Sequence, residues 1–308
     1  MAILFSDNSY NRDKIFALLQ TNMPGVDLRL YPNTGNAEEI DYAIMFRPEP
    51  GSLQQLPNLK VIFMTSAGVD AIMHDDTLPN VPIIRNMDTH LSNGICEYVV
   101  YHVLHYHRFF YKYQAQQAEK IWKQYPQFNA GERCVGIMGL GEMALPAARA
   151  LVALGFDVRS WTNSPKQEDG VTSFYGQDQQ AEFLSSCDIL VNLLPLTDNT
   201  RGILNKALFE KLPKGAFVIN AARGAHLNEQ DVIDALDSGH LAGATLDVFP
   251  TEPLPEASPL WSHNGIKITP HIASLTNYKN IGANILKMIA DIESGKTLPS
   301  SIDRTRQY

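Results

Sequence analysis

Three polar side chains, each placed just after an apolar run, carry the chemistry this sequence offers. Arg223 follows Ala216-Phe217-Val218-Ile219, Glu252 lies in the turn after Ala244-Thr245-Leu246-Asp247-Val248-Phe249, and His271 follows Ile268-Thr269-Pro270. Short apolar runs bounded by turn residues read as buried strands, and open α/β sheets bind ligands beyond the carboxyl ends of their strands. An arginine there offers a permanently charged planar fork that can hold a carboxylate in two hydrogen bonds and polarise a neighbouring carbonyl. A histidine within reach of the reacting oxygen can give or take a proton near neutral pH, and a glutamate beside it favours the imidazolium. Taken singly, the three read as a surface ion pair, a solubilising loop carboxylate and a strand-end hydrogen bonder. Their common placement at strand ends predicts one crevice in which a carboxylate is gripped and a proton moved.

A second motif supplies the partner for that chemistry. Apolar Val135 to Met138 reads as a strand, and Gly139-Leu140-Gly141-Glu142-Met143-Ala144 opens a helix with an apolar face at Ala147, Ala148, Leu151 and Val152. In this GxGxxA pattern the first glycine permits a tight turn. The second lets the backbone approach a pyrophosphate, and the small third residue lets the helix pack on its strand. Backbone groups from Gly139 through Gly141, Glu142 and Met143 to the helix start are thus expected to face phosphates. Pro146 falls in the first helical turn and Gly155 just past the end, where each is tolerated. A bound nicotinamide dinucleotide would carry the hydride, leaving position, charge and a proton to the protein.

The far end of this βαβ unit sets the nucleotide. An acidic residue normally closes the next strand, about 20 residues on, to bond the adenosine ribose of NAD. Here the segment is Ser160-Trp161-Thr162-Asn163-Ser164-Pro165-Lys166, without a carboxylate. Thr162, Asn163, Ser164 and Lys166 suit a 2′-phosphate instead, so NADP(H) is expected to be preferred, with NAD(H) possible.

The elements that must position these residues follow one grammar, used twice. AILFS, VDLRLY, YAIMF, VIFMTS and PIIRN read as strands alternating with helical stretches such as RDKIFALLQ. A helix is predicted from about Leu91 to Lys120, begun by Ser92 or Asn93. The strand series then restarts with RCVGIMG, FDVRSWT, CDILVNLL, GAFVINAA, AGATLDVF and IKITPH, separated by MALPAARALVAL, KALFEKL and EQDVIDALDSG. Such alternation implies parallel βαβ units and doubly wound sheets. The helical segment NIGANILKMIADIESGK after His271 would return to the first domain. Residues 1–97 with 278–308 therefore read as a substrate domain, and 98–277 as an inserted dinucleotide domain.

Composition narrows the class. With 308 residues, 44% hydrophobic and 19% charged, the chain can build two cores. A net charge of −8 provides no basic field for nucleic acid or an anionic membrane, so neither partner is expected. No run of about 18 apolar residues occurs. The start, MAILFSDNSYNRDK, lacks a basic segment ahead of a sustained apolar run, which predicts a cytoplasmic protein. Cys96, Cys134 and Cys187 are odd in number and widely spaced, arguing against a disulfide framework or a zinc site. His102, His105 and His107 share an aromatic helix with Tyr101, Tyr106, Phe109, Phe110 and Tyr111. No carboxylate or cysteine completes a metal site, so the helix is expected to pack between domains or against a second subunit, making a homodimer.

In order along the chain, GIMGLGEMA, LLPLTDNTRGI, INAARGAHLNEQDVIDAL, GATLDVFPTEPLP and ITPHIAS resemble the D-isomer-specific 2-hydroxyacid dehydrogenases over about Cys134 to Ser274, and TSAGVDAI from Thr65 to Ile72 resembles that family's substrate-side loop. The resemblance implies a Rossmann dinucleotide domain inserted in a flavodoxin-like substrate domain. It also implies a carboxylate-binding Arg223, His271 as acid/base with Glu252 as its partner, and backbone at Ala67 and Gly68 on the substrate carboxylate. Further cofactor contacts are implied from Leu194, Pro195, Thr200, Asn220, Ala221, Ala222 and Asp247, the last near the nicotinamide ribose or carboxamide. The short first domain, the missing acidic residue and the tail Ile302-Asp303-Arg304-Thr305-Arg306 look most like the glyoxylate/hydroxypyruvate reductase A subgroup. Asn163 departs from it, standing where NADP-using relatives often place arginine. The reading is NADPH-dependent reduction of a small 2-oxo acid to the D-2-hydroxy acid. The alternatives are a dinucleotide-sensing, corepressor-like binding module and a dehydrogenase of another small anion. Arg47, after Tyr42-Ala43-Ile44-Met45-Phe46, reads equally as a contact to a substrate's distal group and as an exposed loop arginine.

Overall fold

Runs rich in Ile, Val and Leu cannot alternate inward and outward faces, so they are stable only as strands covered on both sides. A computed structural model of the chain describes residues 1–73, 75–86, 88–296 and 301–307. The chain divides into two compact units, Met1–Asp88 with Thr276–Tyr308 and Thr89–Leu275. The division lies ahead of the helix Thr89–His107, which a boundary at 97/98 would cut. Continuous backbone hydrogen bonding keeps that helix in one body.

In the first unit, strands β1 (Ala2–Ser6), β2 (Asp27–Leu30), β3 (Ile40–Met45), β4 (Val61–Met64) and β5 (Ile83–Ile84) form a parallel sheet in the order β2-β1-β3-β4-β5, the flavodoxin-like order. One face is covered by helix Arg12–Asn22, through Ile15 and Leu19, and by helix Tyr278–Glu293, through Ile281, Ile285 and Ile289 spaced one turn apart. The other face is covered by Leu53, Leu56, Leu59, Val69, Ile72 and Ile302. Residues after Leu275 thus return to the first unit, which makes the second an insertion.

The second unit is a parallel sheet of seven strands, β6 (Cys134–Met138), β7 (Asp157–Thr162), β8 (Val171–Tyr175), β9 (Ile189–Asn192), β10 (Ala216–Asn220), β11 (Leu241–Leu246) and β12 (Ile266–Ile268). Their order is β12-β11-β10-β9-β6-β7-β8. The order reverses between β6 and β9, the switch point at which doubly wound sheets hold a dinucleotide. Strand β8 was not foreseen; it lies at the sheet edge with only Phe174 buried, so its sequence lacks the apolar run of a central strand. The short helix Gln180–Ser185 also went unread.

The helix expected over Leu91 to Lys120 is two helices, Thr89–His107 and Phe110–Glu119, broken at Phe109, whose φ is 58°. The break lets Phe109 and Tyr111 turn back toward the aromatic cluster, a tertiary gain that no glycine or proline announces. Helix Thr89–His107 buries Ile95, Val99, Val103 and Tyr106 against Ala147, Ala148 and Leu151 of helix Leu145–Ala153. Tyr106 stacks on Phe217, with centroids 4.3 Å apart, a contact worth about 0.5–1.5 kcal/mol beyond its area. His102, His105 and His107 are buried on this helix. Burial, aided by the Lys267 charge, lowers His102 and His105 to about 4. Among the described residues no cluster of three or more His, Cys, Asp or Glu could hold a metal ion, and no helix is long and apolar enough to cross a membrane. Cys96, Cys134 and Cys187 are free thiols.

Candidate active site

The turn after β6 has the shape its glycines allow. Gly139 has a φ of +92°, and a Cβ there would meet the Leu193 carbonyl oxygen at 2.9 Å, so any other residue would be strained and crowded. Around Gly141 nothing lies within 4 Å of a Cβ position, leaving its backbone open to a ligand. Glu142 is exposed and Met143 half-buried, and helix Leu145–Ala153 starts behind them with no side chain capping its first turn. The Ala144 and Leu145 amides donate to the Gly141 carbonyl at 2.9 and 3.0 Å and Pro146 has no N–H, so it is the backbone of the turn at Gly141, Glu142 and Met143, more than the helix's own first amides, that is offered to an anion. These residues fit the pyrophosphate of a dinucleotide.

The end of β7 and the residues after it, Ser160 to Lys166, carry no carboxylate. Thr162 is buried and donates its hydroxyl to the Ser164 carbonyl at 2.8 Å, whereas Asn163, Ser164 and Lys166 are exposed. The Lys166 ammonium donates to the Leu140 carbonyl at 2.9 Å, tying the strand end to the glycine turn and leaving a cation there.

Beyond β9 and β10 the backbone is held by buried amides. Asn192 and Asn220 are fully buried, and Asn192 Nδ2 donates to Asn220 Oδ1 at 3.0 Å. Asn220 Oδ1 accepts from the Ala222 amide at 3.4 Å, and Asn220 Nδ2 donates to the Arg223 carbonyl at 3.1 Å. Ala221 and Ala222 are buried. Asn192 Oδ1 accepts from the Leu194 amide at 3.3 Å, and the Thr200 hydroxyl donates to the Pro195 carbonyl at 2.7 Å. Arg223 Nη1 donates to the Ala222 carbonyl at 2.7 Å. Gly224 follows, and a Cβ there would overlap Phe249 C at 1.9 Å, so this glycine lets the loop carrying Arg223 lie against the loop that leads to Glu252.

His271 follows the carboxyl end of the edge strand β12, which pairs with β11, itself paired with β10. Its φ of 54° is unusual for a residue with a side chain, a conformation that costs of order 1 kcal/mol or more and needs surroundings that impose it. Buried Asp247 supplies them. Its Oδ1 accepts from the Thr269 hydroxyl at 2.6 Å and the Ile272 amide at 2.9 Å, its Oδ2 accepts from the Ala273 amide at 2.8 Å, and its carbonyl accepts from the His271 amide at 2.8 Å. Tyr98, on helix Thr89–His107, shares a hydrogen bond of 2.7 Å with Thr269. In this structure Asp247 therefore shapes the loop that presents His271. The His271 Nδ1 lies 2.8 Å from Glu252 Oε2, while Glu252 Oε1 accepts from the Phe249 amide at 3.0 Å. A carboxylate only accepts, so Nδ1 carries a proton and Nε2 is left to face a reactant. Glu252 and His271 are thus brought into direct contact, and Arg223 lies beyond the neighbouring strand on the same sheet edge.

The dinucleotide-domain model of the D-isomer specific 2-hydroxyacid dehydrogenases matches residues 100–273. The chain belongs to that family. It is similar to the glyoxylate/hydroxypyruvate reductase A of Serratia proteamaculans, at 41% identity over 98% of both chains. Among solved structures it is similar to the D-isomer specific 2-hydroxyacid dehydrogenase of Xanthobacter autotrophicus in complex with NADPH and MES, with a TM-score of 0.93 and 38% identity over 100% of this chain and 99% of the other. A second is the NADPH-dependent glyoxylate/hydroxypyruvate reductase of Sinorhizobium meliloti in complex with NADP and sulfate, with a TM-score of 0.92 and 34% identity over 100% and 99%. The protein is accordingly an oxidoreductase acting on 2-hydroxy or 2-oxo acids.

In this 2-hydroxyacid dehydrogenase the substrate-side residues named from the sequence, Ala67 and Gly68, follow β4 in the first unit. Both are half-buried, and Ser66 Oγ donates to the Gly68 carbonyl at 2.7 Å. Arg47 follows β3, exposed, with its guanidinium 5.4 Å from the Phe46 ring. Sequence reasoning missed Asn192, His226, Gly224, Tyr98 and Thr269. Asn192 ends a strand-forming run and Gly224 directly follows Arg223, a placement that could have flagged both. Tyr98 and Thr269 meet only through the tertiary fold.

Proposed function

We propose that this dehydrogenase reduces a small 2-oxo acid of the glyoxylate/hydroxypyruvate class to the D-2-hydroxy acid, using NADPH in preference to NADH. The observation that carries the reading is the 2.8 Å contact of His271 Nδ1 with Glu252, on the carboxyl edge of the sheet that also carries Arg223, which follows β10 two strands from β12. The nicotinamide, when bound, supplies the hydride. Gly139, Gly141, Glu142 and Met143 would hold the pyrophosphate by backbone, and Thr162, Asn163, Ser164 and Lys166 the 2′-phosphate. Leu194, Pro195, Thr200, Asn220, Ala221, Ala222 and Asp247 would line the nicotinamide half. Arg223 grips the substrate carboxylate and polarises the carbonyl beside it, with Ala67 and Gly68 contributing backbone amides. His271 delivers the Nε2 proton to the carbonyl oxygen as the carbon is reduced, and Glu252 stabilises the imidazolium and fixes its orientation. The preference for NADPH is supported by the missing carboxylate after β7, by the exposed Lys166, and by the nucleotides held in the two related structures. Residues 89–275 serve as the dinucleotide domain and the remainder as the substrate domain.

We propose further that the enzyme works as a cytoplasmic homodimer. Free thiols suit a reducing compartment, and Tyr101, Phe110, Ile121 and the 98% exposed Trp122 offer an apolar surface for a second copy. Size-exclusion chromatography showing a monomer at working concentration would remove the dimer.

The deciding experiment is a panel of 2-oxo acids, including glyoxylate and hydroxypyruvate, assayed with NADPH and NADH on the wild type and on His271→Ala. Turnover of short 2-oxo acids, higher kcat/KM with NADPH, and loss of turnover with retained NADPH binding in the variant are expected. A clear preference for NADH sinks the nucleotide assignment, and near-normal turnover in His271→Ala sinks the role of the histidine.

A further inference from the structure

His226 lies three residues beyond Arg223 and is completely buried, the site of a basic side chain with no apparent reason to be inside. Its contacts define its state. Asn220 is oriented by backbone on both sides, its Oδ1 toward the Ala222 amide and its Nδ2 toward the Arg223 carbonyl. The Asn192 atom 3.0 Å from Asn220 Oδ1 must then be the Nδ2 donor, consistent with Asn192 Oδ1 accepting from the Leu194 amide. That same Nδ2 lies 3.0 Å from His226 Nδ1, so Nδ1 is the acceptor and carries no proton. The ring hydrogen is on Nε2, which lies 3.3 Å from the Pro195 carbonyl and donates to it. The His226 amide also donates to the Arg223 carbonyl at 3.2 Å.

The result is one hydrogen-bonded network between the Arg223 and Pro195 carbonyls, in which Asn192 Nδ2 donates both ways: to Asn220, which donates on to Arg223, and to His226, which donates on to Pro195. It joins the loop after β10, which carries the arginine, to the loop after β9, assigned above to the nicotinamide half. Reversing Asn220 sets its Nδ2 against Asn192 Nδ2, reversing Asn192 sets its Oδ1 against Asn220 Oδ1 and His226 Nδ1, and moving the ring hydrogen to Nδ1 sets it against Asn192 Nδ2, so each reversal loses hydrogen bonds of the network. We infer that His226 is a positioning residue that sets the Arg223 loop and the Pro195 loop in register, so that one neutral imidazole adjusts both the grip on the oxo acid and the grip on the nucleotide. This rests on the proposed roles of Arg223 and of the loop at Leu194 and Pro195.

The two ring nitrogens can be tested separately. In His226→Gln the side-chain amide reaches the place of Nε2 and keeps a donor for Pro195, but the acceptor for Asn192 is lost. In His226→Asn the amide oxygen takes the place of Nδ1 and keeps that acceptor, but nothing reaches Pro195. His226→Gln is expected to raise KM for the oxo acid roughly five- to tenfold, the factor one neutral hydrogen bond carries, with the NADPH dissociation constant near wild type. His226→Asn is expected to weaken NADPH binding, read by nucleotide fluorescence titration without turnover, by a similar factor, and to change KM for the oxo acid less. Variants that only lower the melting temperature, with both constants at wild-type values, or that shift both constants equally, overturn the inference. Arg223→Lys is measured alongside, since it keeps the charge and loses the fork. Unchanged KM in that variant would overturn the carboxylate-binding role of Arg223 itself, separately from the outcome at His226.

Discussion

In the proposed mechanism, two hydrogen bonds at Glu252 define the proton on His271 Nδ1. The Phe249 amide occupies one carboxylate oxygen, so only the other faces His271 Nδ1. In Glu252→Gln the amide oxygen remains on Phe249 and the NH2 group is turned against Nδ1, which must then become an acceptor. An imidazolium, with hydrogen on both nitrogens, no longer fits, and the neutral ring, whose one hydrogen is then on Nε2, could give it up only by becoming an imidazolate, a far weaker acid. We expect kcat to fall roughly a hundredfold or more, with KM for the oxo acid and NADPH binding little changed, in steady-state assays paired with nucleotide titration. Retention of kcat would mean that Glu252 only braces its loop.

The βαβ element at β6 separates what glycine does for the fold from what it does for the ligand. Gly139→Ala places a Cβ on a left-handed backbone 2.9 Å from the Leu193 carbonyl oxygen, and should lower stability by about 1–3 kcal/mol. Gly141→Val adds atoms where nothing lies within 4 Å, so the melting temperature should hold while NADPH binding weakens tenfold or more, about 1.4 kcal/mol. Calorimetry and fluorescence titration on the two variants test the division; a Gly141→Val protein that binds NADPH normally would contradict the phosphate site. Helix Thr89–His107 has a pH signature of its own. His102 and His105 fall from the ordinary 6.5 to about 4 through burial. Between those values the unfolded chain binds protons that the folded chain does not, so stability falls as pH falls through that window and is fully present above it. His105→Leu should flatten the decline in melting temperature between about pH 7 and about pH 5; an unchanged slope would show that this histidine takes up its proton as readily folded as unfolded.

For the whole molecule, the division of apolar side chains has a direct consequence. The clusters that bury Val135, Ile137, Val191 and Ile219, and Phe183, Leu190, Val218 and Leu246, draw only on residues of 89–275. The two clusters of the other unit draw only on its own two segments. A fragment of residues 89–275 is therefore expected to fold alone with a cooperative melt and to bind NADPH, while failing to turn over an oxo acid. A fragment without cooperative unfolding would show that the inserted unit depends on its host.

Much of this protein is determined by local sequence. Parallel strands follow from apolar runs too continuous to leave a face to water, and the dinucleotide turn follows from Gly139 and Gly141 between a strand and a helix, because those constraints act within a few residues. Arg223, Glu252 and His271 stood out because each interrupts an apolar run at its end. What the tertiary structure alone decided are relations between distant segments. Strand β8 is held at an edge by pairing with β7 rather than by an apolar run of its own. The break at Phe109 comes from aromatic partners that the helix reaches only once folded. The polar set from Tyr98 through Thr269 to Asp247, and that from Arg223 through Asn220 and Asn192 to His226, require buried donors and acceptors to find one another. That choice rests on three-dimensional proximity, which no spacing along the chain encodes.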